Sequence, residues 1–351
     1  MVRIGLVGAG VAAAAATFVL DTAAPDAEVT VLEKSGGVCG RAATRRHGEL
    51  VYDYGAHYVK SEDDGVADLL TDTLNDDGLV DVTEPVYVFD ESGEVSPGRD
   101  ADEHKWSYRD GLTQIAKRLF DRTDATVHRR TRVETIRRTD DAWTLVDADG
   151  TAWGPFDVLG LNPPAPQTAT LLADAEWNDS LRQRLQSAVA AVPYRTVWSA
   201  ILHYHFEIDR PYYGLVNADK GHDVGWISRE ECKPGHVPDG ESLLVVQASH
   251  EWSTDRYDAD PAANVATLAD HAATIIGDDR LTSPAWTDHH GWRYALPEAG
   301  VEREPVESAH AHELYCLGDW VVGTGRVHAA LANGLRVGER MADRCKSGHR
   351  S

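Results

Sequence analysis

The chain opens on a strand, a glycine turn and a helix in immediate succession. Val2–Val7 is a strand-like run, and Gly8-Ala9-Gly10-Val11-Ala12-Ala13 follows it directly. Gly10–Asp21 reads as a helix and Glu28–Leu32 as a second strand. In such a unit Gly8 permits the tight turn, Gly10 lets the backbone approach a diphosphate, and Ala13 fills the small position where helix meets strand. The helix N-terminus offers N–H groups and a partial positive charge to the phosphates. Glu33 ends the second strand about 20 residues on, where a carboxylate can accept hydrogen bonds from ribose hydroxyls and repel a 2′-phosphate. Gly8, Gly10, Ala12, Ala13, Glu33 and the adjacent Lys34 are therefore candidate dinucleotide contacts.

Nicotinamide and flavin dinucleotides share this unit, and the segments that follow distinguish them. Gly36-Gly37-Val38-Cys39-Gly40-Arg41 comes next, then Asp53-Tyr54-Gly55-Ala56-His57-Tyr58. A Gly40-Arg41 turn would bring a planar fork of donors to a diphosphate. Gly55-Ala56 permits close backbone approach beside a ring system. Near the other end, Leu317-Gly318-Asp319-Trp320 follows a strand-like Leu314–Leu317, and an amphipathic helix starts at Val327 and runs to Ala342. These pieces, in this order, resemble the amine-oxidase-like flavoproteins. That resemblance implies FAD, Asp319 near the ribityl–diphosphate region, the N-terminus of the Val327 helix at the flavin edge, and Val133 holding the adenine through its backbone. The chain departs from the pattern at Val327-His328-Ala329, where the group has Gly-Ala, and His328 is given no role. No cysteine stands in the context of covalent flavin attachment, so the expected FAD is noncovalent. A nicotinamide-dependent Rossmann dehydrogenase would leave Gly40-Arg41 and Gly318-Asp319 unexplained.

The elements interleave. Gly111–Arg122 reads as a helix with Leu112, Ile115, Ala116 and Leu119 on one face; Val127–His128, Val133–Arg137, Trp143–Val146 and Phe156–Leu161 read as short strands. From Pro193 to Trp286 long β runs dominate: Val197–Phe206, Val224–Ser228 and Leu243–Gln247, with a helix at Pro261–Ile276. The expectation is an α/β protein: a discontinuous Rossmann-like FAD-binding domain of residues 1–80, 125–165 and 285–345, an interleaved mixed-sheet substrate domain of 81–124 and 166–284, and a tail, 346–351.

Several shorter strings resemble the renalase family within that group: Asn162-Pro163-Pro164-Ala165-Pro166-Gln167, Gly225-Trp226-Ile227-Ser228-Arg229 with Lys233-Pro234-Gly235, Ala248–Ser253, and Gly291-Trp292-Arg293-Tyr294. Their common order spans nearly the whole chain. The resemblance implies oxidation of 2- and 6-dihydro isomers of NAD(P) by hydride transfer to the flavin, with O2 reduced to H2O2. Transfer from an already reduced ring needs no strong general base, and no catalytic residue is assigned. His57, Tyr58, Trp226, Trp292 and Arg293 are the candidate substrate contacts: tyrosine against the flavin, tryptophans stacking a nicotinamide, arginine meeting a phosphate. Core packing for the tryptophans and a carboxylate partner for Arg293 are the plain alternatives. An amine oxidase or desaturase of the same fold, and a flavin-binding protein without turnover, remain open.

The charge balance bounds the partners. Asp and Glu number 57 against 34 Lys and Arg, a net −23; Asp outnumbers Glu 36 to 21, and Lys is only seven of the 34. Such charge repels nucleic acid. It also suits a high-salt cytoplasm, where screening lengths of about 3 Å at 1 M make dense carboxylates tolerable, so a halophilic archaeal member is expected. No run approaches the roughly 18 apolar residues of a membrane span, and Met1 leads almost directly into a strand rather than a leader, so the expected setting is the cytoplasm with a small-molecule substrate. Cys39, Cys232, Cys316 and Cys345 are scattered as free thiols, and the sixteen histidines, including the alternating His203 and His205, read as structural or surface groups. No metal is expected.

Overall fold

A computed structural model describes residues 1–74, 76–99 and 103–348. Its nucleotide-binding half is a five-stranded parallel sheet in the order Thr126–Arg129, Glu28–Glu33, Arg3–Val7, Val158–Leu161, Leu314–Cys316. Ile4 and Leu6 are fully buried, as expected for a central strand covered on both faces. The strand expected over Phe156–Leu161 divides into two. Ala152–Phe156 joins an antiparallel sheet with Val133–Thr139 and Ala142–Asp147, while Val158–Leu161 enters the parallel sheet. Asp157 makes the break, its side chain and amide both bonding to the backbone of Arg3.

The alanine run of the first helix, Val11–Ala23, is explained by its neighbour. Ala12 to Ala16 are all essentially inaccessible, and the C-terminal helix, Val327–Gly348, lies directly against them. A Cβ on Gly334 would stand 2.2 Å from the carbonyl oxygen of Ala12, and one on Gly338 would stand 2.8 Å from that of Ala16. Small residues four apart on both helices bring the backbones into contact. The expected tail begins inside this helix, and residues 349–351 lie outside the described residues.

The second half is a seven-stranded mixed sheet in the order Trp286–Pro297, Tyr194–Tyr204, Ser242–Ala248, Val224–Arg229, Gly214–Asn217, Val86–Phe89, Val95–Ser96. Helix Pro261–Ile276 packs on it, begun by an Asp260 cap and Pro261 and ended at Gly277, whose φ is +72°. Packing redraws the expected boundaries. Strand 286–297 is the edge of this sheet, because its longest pairing is with Tyr194–Tyr204. Helices Ala165–Ala173 and Asp179–Ala190 share a core with Leu159, Leu161 and Ile136, and helix Thr113–Phe120 packs on the first helix. Each apolar helix face closes a sheet face or helix the parallel sheet would otherwise expose.

Replacing Gly334 with valine should force the two helices apart. Overpacking a filled contact costs about 1–3 kcal/mol or more. Urea unfolding should register a loss at the upper end of that range, because the obstacle is backbone; an unchanged midpoint would refute the contact.

Candidate active site

At the end of the opening strand Gly8 takes a φ of +90°, in the region that favours glycine, and its amide bonds to the carbonyl of Leu32. The amide of Gly10 donates to Asn162 Oδ1 at 3.0 Å, and a Cβ on Gly10 would lie 2.6 Å from that same oxygen. Asn162 Nδ2 in turn donates to the carbonyl of Leu317 at 3.2 Å. No side chain caps the first helix, so the amides of its opening turn have no side-chain acceptor. Gly40 abuts Gly10, and Gly318, φ +131°, donates its amide to Asn333 Oδ1 at 2.8 Å. Gly8, Gly10, Gly40, Arg41, Gly318 and Asp319 thus converge from the two ends of the chain. Asn162 and Asn333, which bind the turns together, were not singled out from the sequence; Asn162 entered only within a string that resembles a family turn.

Two expected contacts are engaged elsewhere. The Glu33 carboxylate accepts from the amides of Ala9 and Ser35, both at 2.7 Å, so it holds the glycine turn and the start of the next loop. The Arg41 guanidinium makes a bidentate pair with Asp319, at 2.9 and 2.7 Å, and also donates to the carbonyl of Ala295. A partly buried guanidinium takes the nearest carboxylate whose geometry matches its fork. Lys34 is exposed at the lip, reaching Gln167 Oε1 at 3.1 Å. Val133 is buried beside the end of the second strand, where Glu33 accepts the amide of Thr131. Val327 begins the C-terminal helix, and the following His328 is buried with Nε2 3.4 Å from Glu62.

Gly55-Ala56 runs between two aromatic groups. A Cβ on Gly55 would strike the carbonyl of Arg41 at 2.2 Å and Trp292 at 2.9 Å. On one side Tyr54 stacks on Trp292, with centroids 5.0 Å apart, and the indole donates back to Tyr54 O. On the other side His57 stacks on Trp226 at 5.4 Å, and Tyr58 and Tyr213 meet the same indole at 6.4 and 6.2 Å. His57, Tyr58 and Trp226 are therefore brought together and joined by Tyr213, which sequence reading did not single out. Trp292 sits across Gly55. Arg293 is not with them: it is exposed, lies over the Tyr257 ring at 4.0 Å and approaches Asp258.

Beneath the His57 group lies a fully buried ionic cluster. Lys233 Nζ stands 2.9 Å from Asp53 Oδ2 and 3.0 Å from Glu230 Oε1. His236 meets Glu230 Oε2 through Nδ1 and the carbonyl of Tyr108 through Nε2, both at 2.9 Å. Both ring nitrogens of His236 are thus engaged, and the ammonium of Lys233 lies between the two carboxylates. Asp53 also accepts from Ser107, Thr44 and the amide of Leu112. Asp53, Glu230 and His236 have metal-ligand spacing, but the ammonium of Lys233 already bonds to both carboxylates. Burial, and then the charge of Lys233, pushes His57 down to about 4, so the ring beside Trp226 is neutral. Glu230, Lys233 and His236 are three residues apart, but Asp53 stands 177 residues before Glu230, so spacing does not bring it to them.

Residues 6–73 match an NAD(P)-binding Rossmann-like domain, and residues 100–342 match the flavin containing amine oxidoreductases. The chain belongs to that family. It is an FAD-dependent oxidoreductase. The fold is shared with a candidate protoporphyrinogen oxidase from Exiguobacterium sp. 255-15 (TM-score 0.80, 14% identity, 98% of this chain and 99% of that one). It is shared likewise with cyclohexylamine oxidase from Brevibacterium oxydans IH-35A (0.74, 13%, 98% and 99%). Putrescine oxidase bound to putrescine is a third likeness (0.72, 11%, 97% and 99%). The frame of this chain fits FAD. The uncapped start of the first helix and the glycine turn of Gly8 and Gly10, with Gly40 against it, would receive the diphosphate. Noncovalent attachment agrees with the thiols: burial pushes Cys39, Cys232 and Cys316 up to about 12, so none is a thiolate.

Lys233→Met would leave two carboxylates buried without their ammonium, and unfolding free energy should fall by about 3–5 kcal/mol in denaturant titration. A change under 1 kcal/mol would contradict the charge assignment. Because His57 titrates near 4 when folded and at 6.5 when unfolded, the unfolded chain binds a proton in that window that the folded chain refuses. Stability should therefore drop as pH falls from 6.5 to 4, and His57→Phe should make that drop shallower. Parallel profiles for the two proteins would exclude the assignment.

Proposed function

We propose that this enzyme oxidises dihydronicotinamides, the 2- and 6-dihydro isomers of NAD(P), with O2 as acceptor and H2O2 as product. The observation that carries this reading is the chemistry of the group around Trp226. Trp226 Nε1 and the Tyr213 hydroxyl are both buried without a hydrogen-bond partner. Burial holds the Tyr213 phenol well above its ordinary range, so it stays protonated. An indole N–H can only donate, and a phenol donates readily. Two unmatched donors among stacked rings suit a flat heteroaromatic ring bearing a carbonyl, such as a nicotinamide carboxamide. They suit an ammonium poorly, and the nearby carboxylates of Asp53 and Glu230 are committed to Lys233 and His236.

When bound, FAD supplies the two-electron acceptor chemistry that such an oxidation needs. The residues of this chain bind and orient. Trp226 and Tyr58 offer ring faces on one side of Gly55-Ala56 and Trp292 on the other, and neutral His57 adds no charge to repel a ring that becomes cationic on oxidation. Orientation of this kind contributes by fixing the approach of the reacting atoms. The strings that resemble renalases include Trp226, Lys233 and Trp292, and so run through this region. Oxidation of an amine is the second reading, favoured by the likeness to the putrescine and cyclohexylamine oxidases.

Rapid anaerobic mixing tests the two. Borohydride-treated NAD, a mixture of dihydro isomers, should bleach the flavin much faster than pure NADH or putrescine. Fast bleaching by putrescine alone would transfer the assignment to the amine. Tyr213→Phe removes one donor, worth about 0.5–1.5 kcal/mol, and should raise KM for the isomers by roughly 2–10-fold with the flavin spectrum unchanged.

A further inference from the structure

Away from the flavin frame, the strand Tyr194–Tyr204 carries two histidines at its end. His203 and His205 are two residues apart, so they leave the strand on one face. The neighbouring strand Ser242–Ala248 runs antiparallel with Tyr204 opposite Ser242, a register that sets Glu241 across from His205. His203 Nε2 lies 2.7 Å from Glu241 Oε2, and His205 Nδ1 lies 3.0 Å from Oε1. The two rings stand at 87° with centroids 4.9 Å apart, so their nitrogens reach the carboxylate from different directions. Three potential ligand atoms are thus held within 4.8 Å of one another.

We propose that His203, His205 and Glu241 bind one divalent transition-metal ion of the zinc type, with water completing the coordination. Two imidazoles and a carboxylate are a donor set that zinc takes at about 2.0–2.2 Å, with an open fourth position. Tetrahedral ligands at that distance stand about 3.3–3.6 Å apart. The present 2.7 and 3.0 Å contacts would open by about 0.3–0.9 Å, a movement that the partly exposed Glu241 and the solvent-exposed His205 can share. The burial is graded to match: the His203 side chain is 7% accessible, Glu241 27% and His205 68%, which anchors one ligand and leaves a face for water. The other trio at ligand spacing, Asp53, Glu230 and His236, has Lys233 bonded to its carboxylates; the surface trio has no such internal cation among its bonds.

The ion would clip the end of one central strand to the turn before its neighbour. His203 is six residues along the strand from Val197, which pairs with Trp292, a separation of about 20 Å at 3.3 Å per residue. The clip therefore acts on the sheet and not on the reacting groups.

Tag-free, FAD-loaded enzyme, stripped with a chelator and desalted, should be titrated with Zn2+ against a chromophoric chelator and followed by thermal melting; Co2+ serves as the spectroscopic probe. One tight equivalent of Zn2+, a rise in melting temperature and a tetrahedral Co2+ band are expected. His205→Ala and Glu241→Gln, both at accessible positions, should each weaken zinc binding tenfold or more while the flavin spectrum stays intact. Absence of a tight equivalent in the parent protein, or equal zinc affinity in parent and both variants, would overturn the site.

Discussion

Arg41 and Asp319 are 278 residues apart and meet in a two-pronged ion pair. The pair is set close to the point where the first helix begins, and the bond from Gly10 through Asn162 to Leu317 runs beside it. Neither link can form until the last strand has joined the parallel sheet. The flavin frame is therefore a product of chain closure: the glycine turn at one end has its walls supplied by residues from the middle and the other end. With Asp319 buried and Arg41 partly so, loss of either partner is more damaging than loss of one from an exposed pair.

Closure also depends on how near two helices can come. The Ala12–Ala16 run and Gly334 and Gly338 let the backbones of the first and last helices come into contact. Small residues thus serve two ends at once. They leave the first helix without a side-chain cap, and they let the C-terminal helix approach closely enough for Asn333 to accept the amide of Gly318.

The core behind Gly55-Ala56 is organised differently. Aromatic rings flank Gly55-Ala56, while the ionic cluster of Asp53, Glu230, Lys233 and His236 stands behind them at full burial. The cluster engages the carboxylates that could have met a cation, while burial, and then the charge of Lys233, lowers the proton affinity of His57. Unsatisfied donors are left on Trp226 and Tyr213, so the local chemistry is that of rings and neutral hydrogen bonds.

What the sequence by itself determined is local and periodic. The strand, glycine turn and helix at the start, the helix at Pro261–Ile276 with its Asp260 cap, and the Gly-Arg and Gly-Asp strings were all readable because each depends on neighbours a few residues away. Only the tertiary structure decided the rest. The partner of Arg41, the engagement of Glu33 by backbone amides, the division of 152–161 between two sheets, the entry of Tyr213 into the ring group and the remote position of Arg293 all depend on segments brought together over more than a hundred residues or on competition for one hydrogen-bonding group. Sequence spacing carries the period of a helix or strand, but it does not carry which buried charge a distant lysine will meet; that is settled by burial, where each polar group must take whatever partner the packed fold delivers.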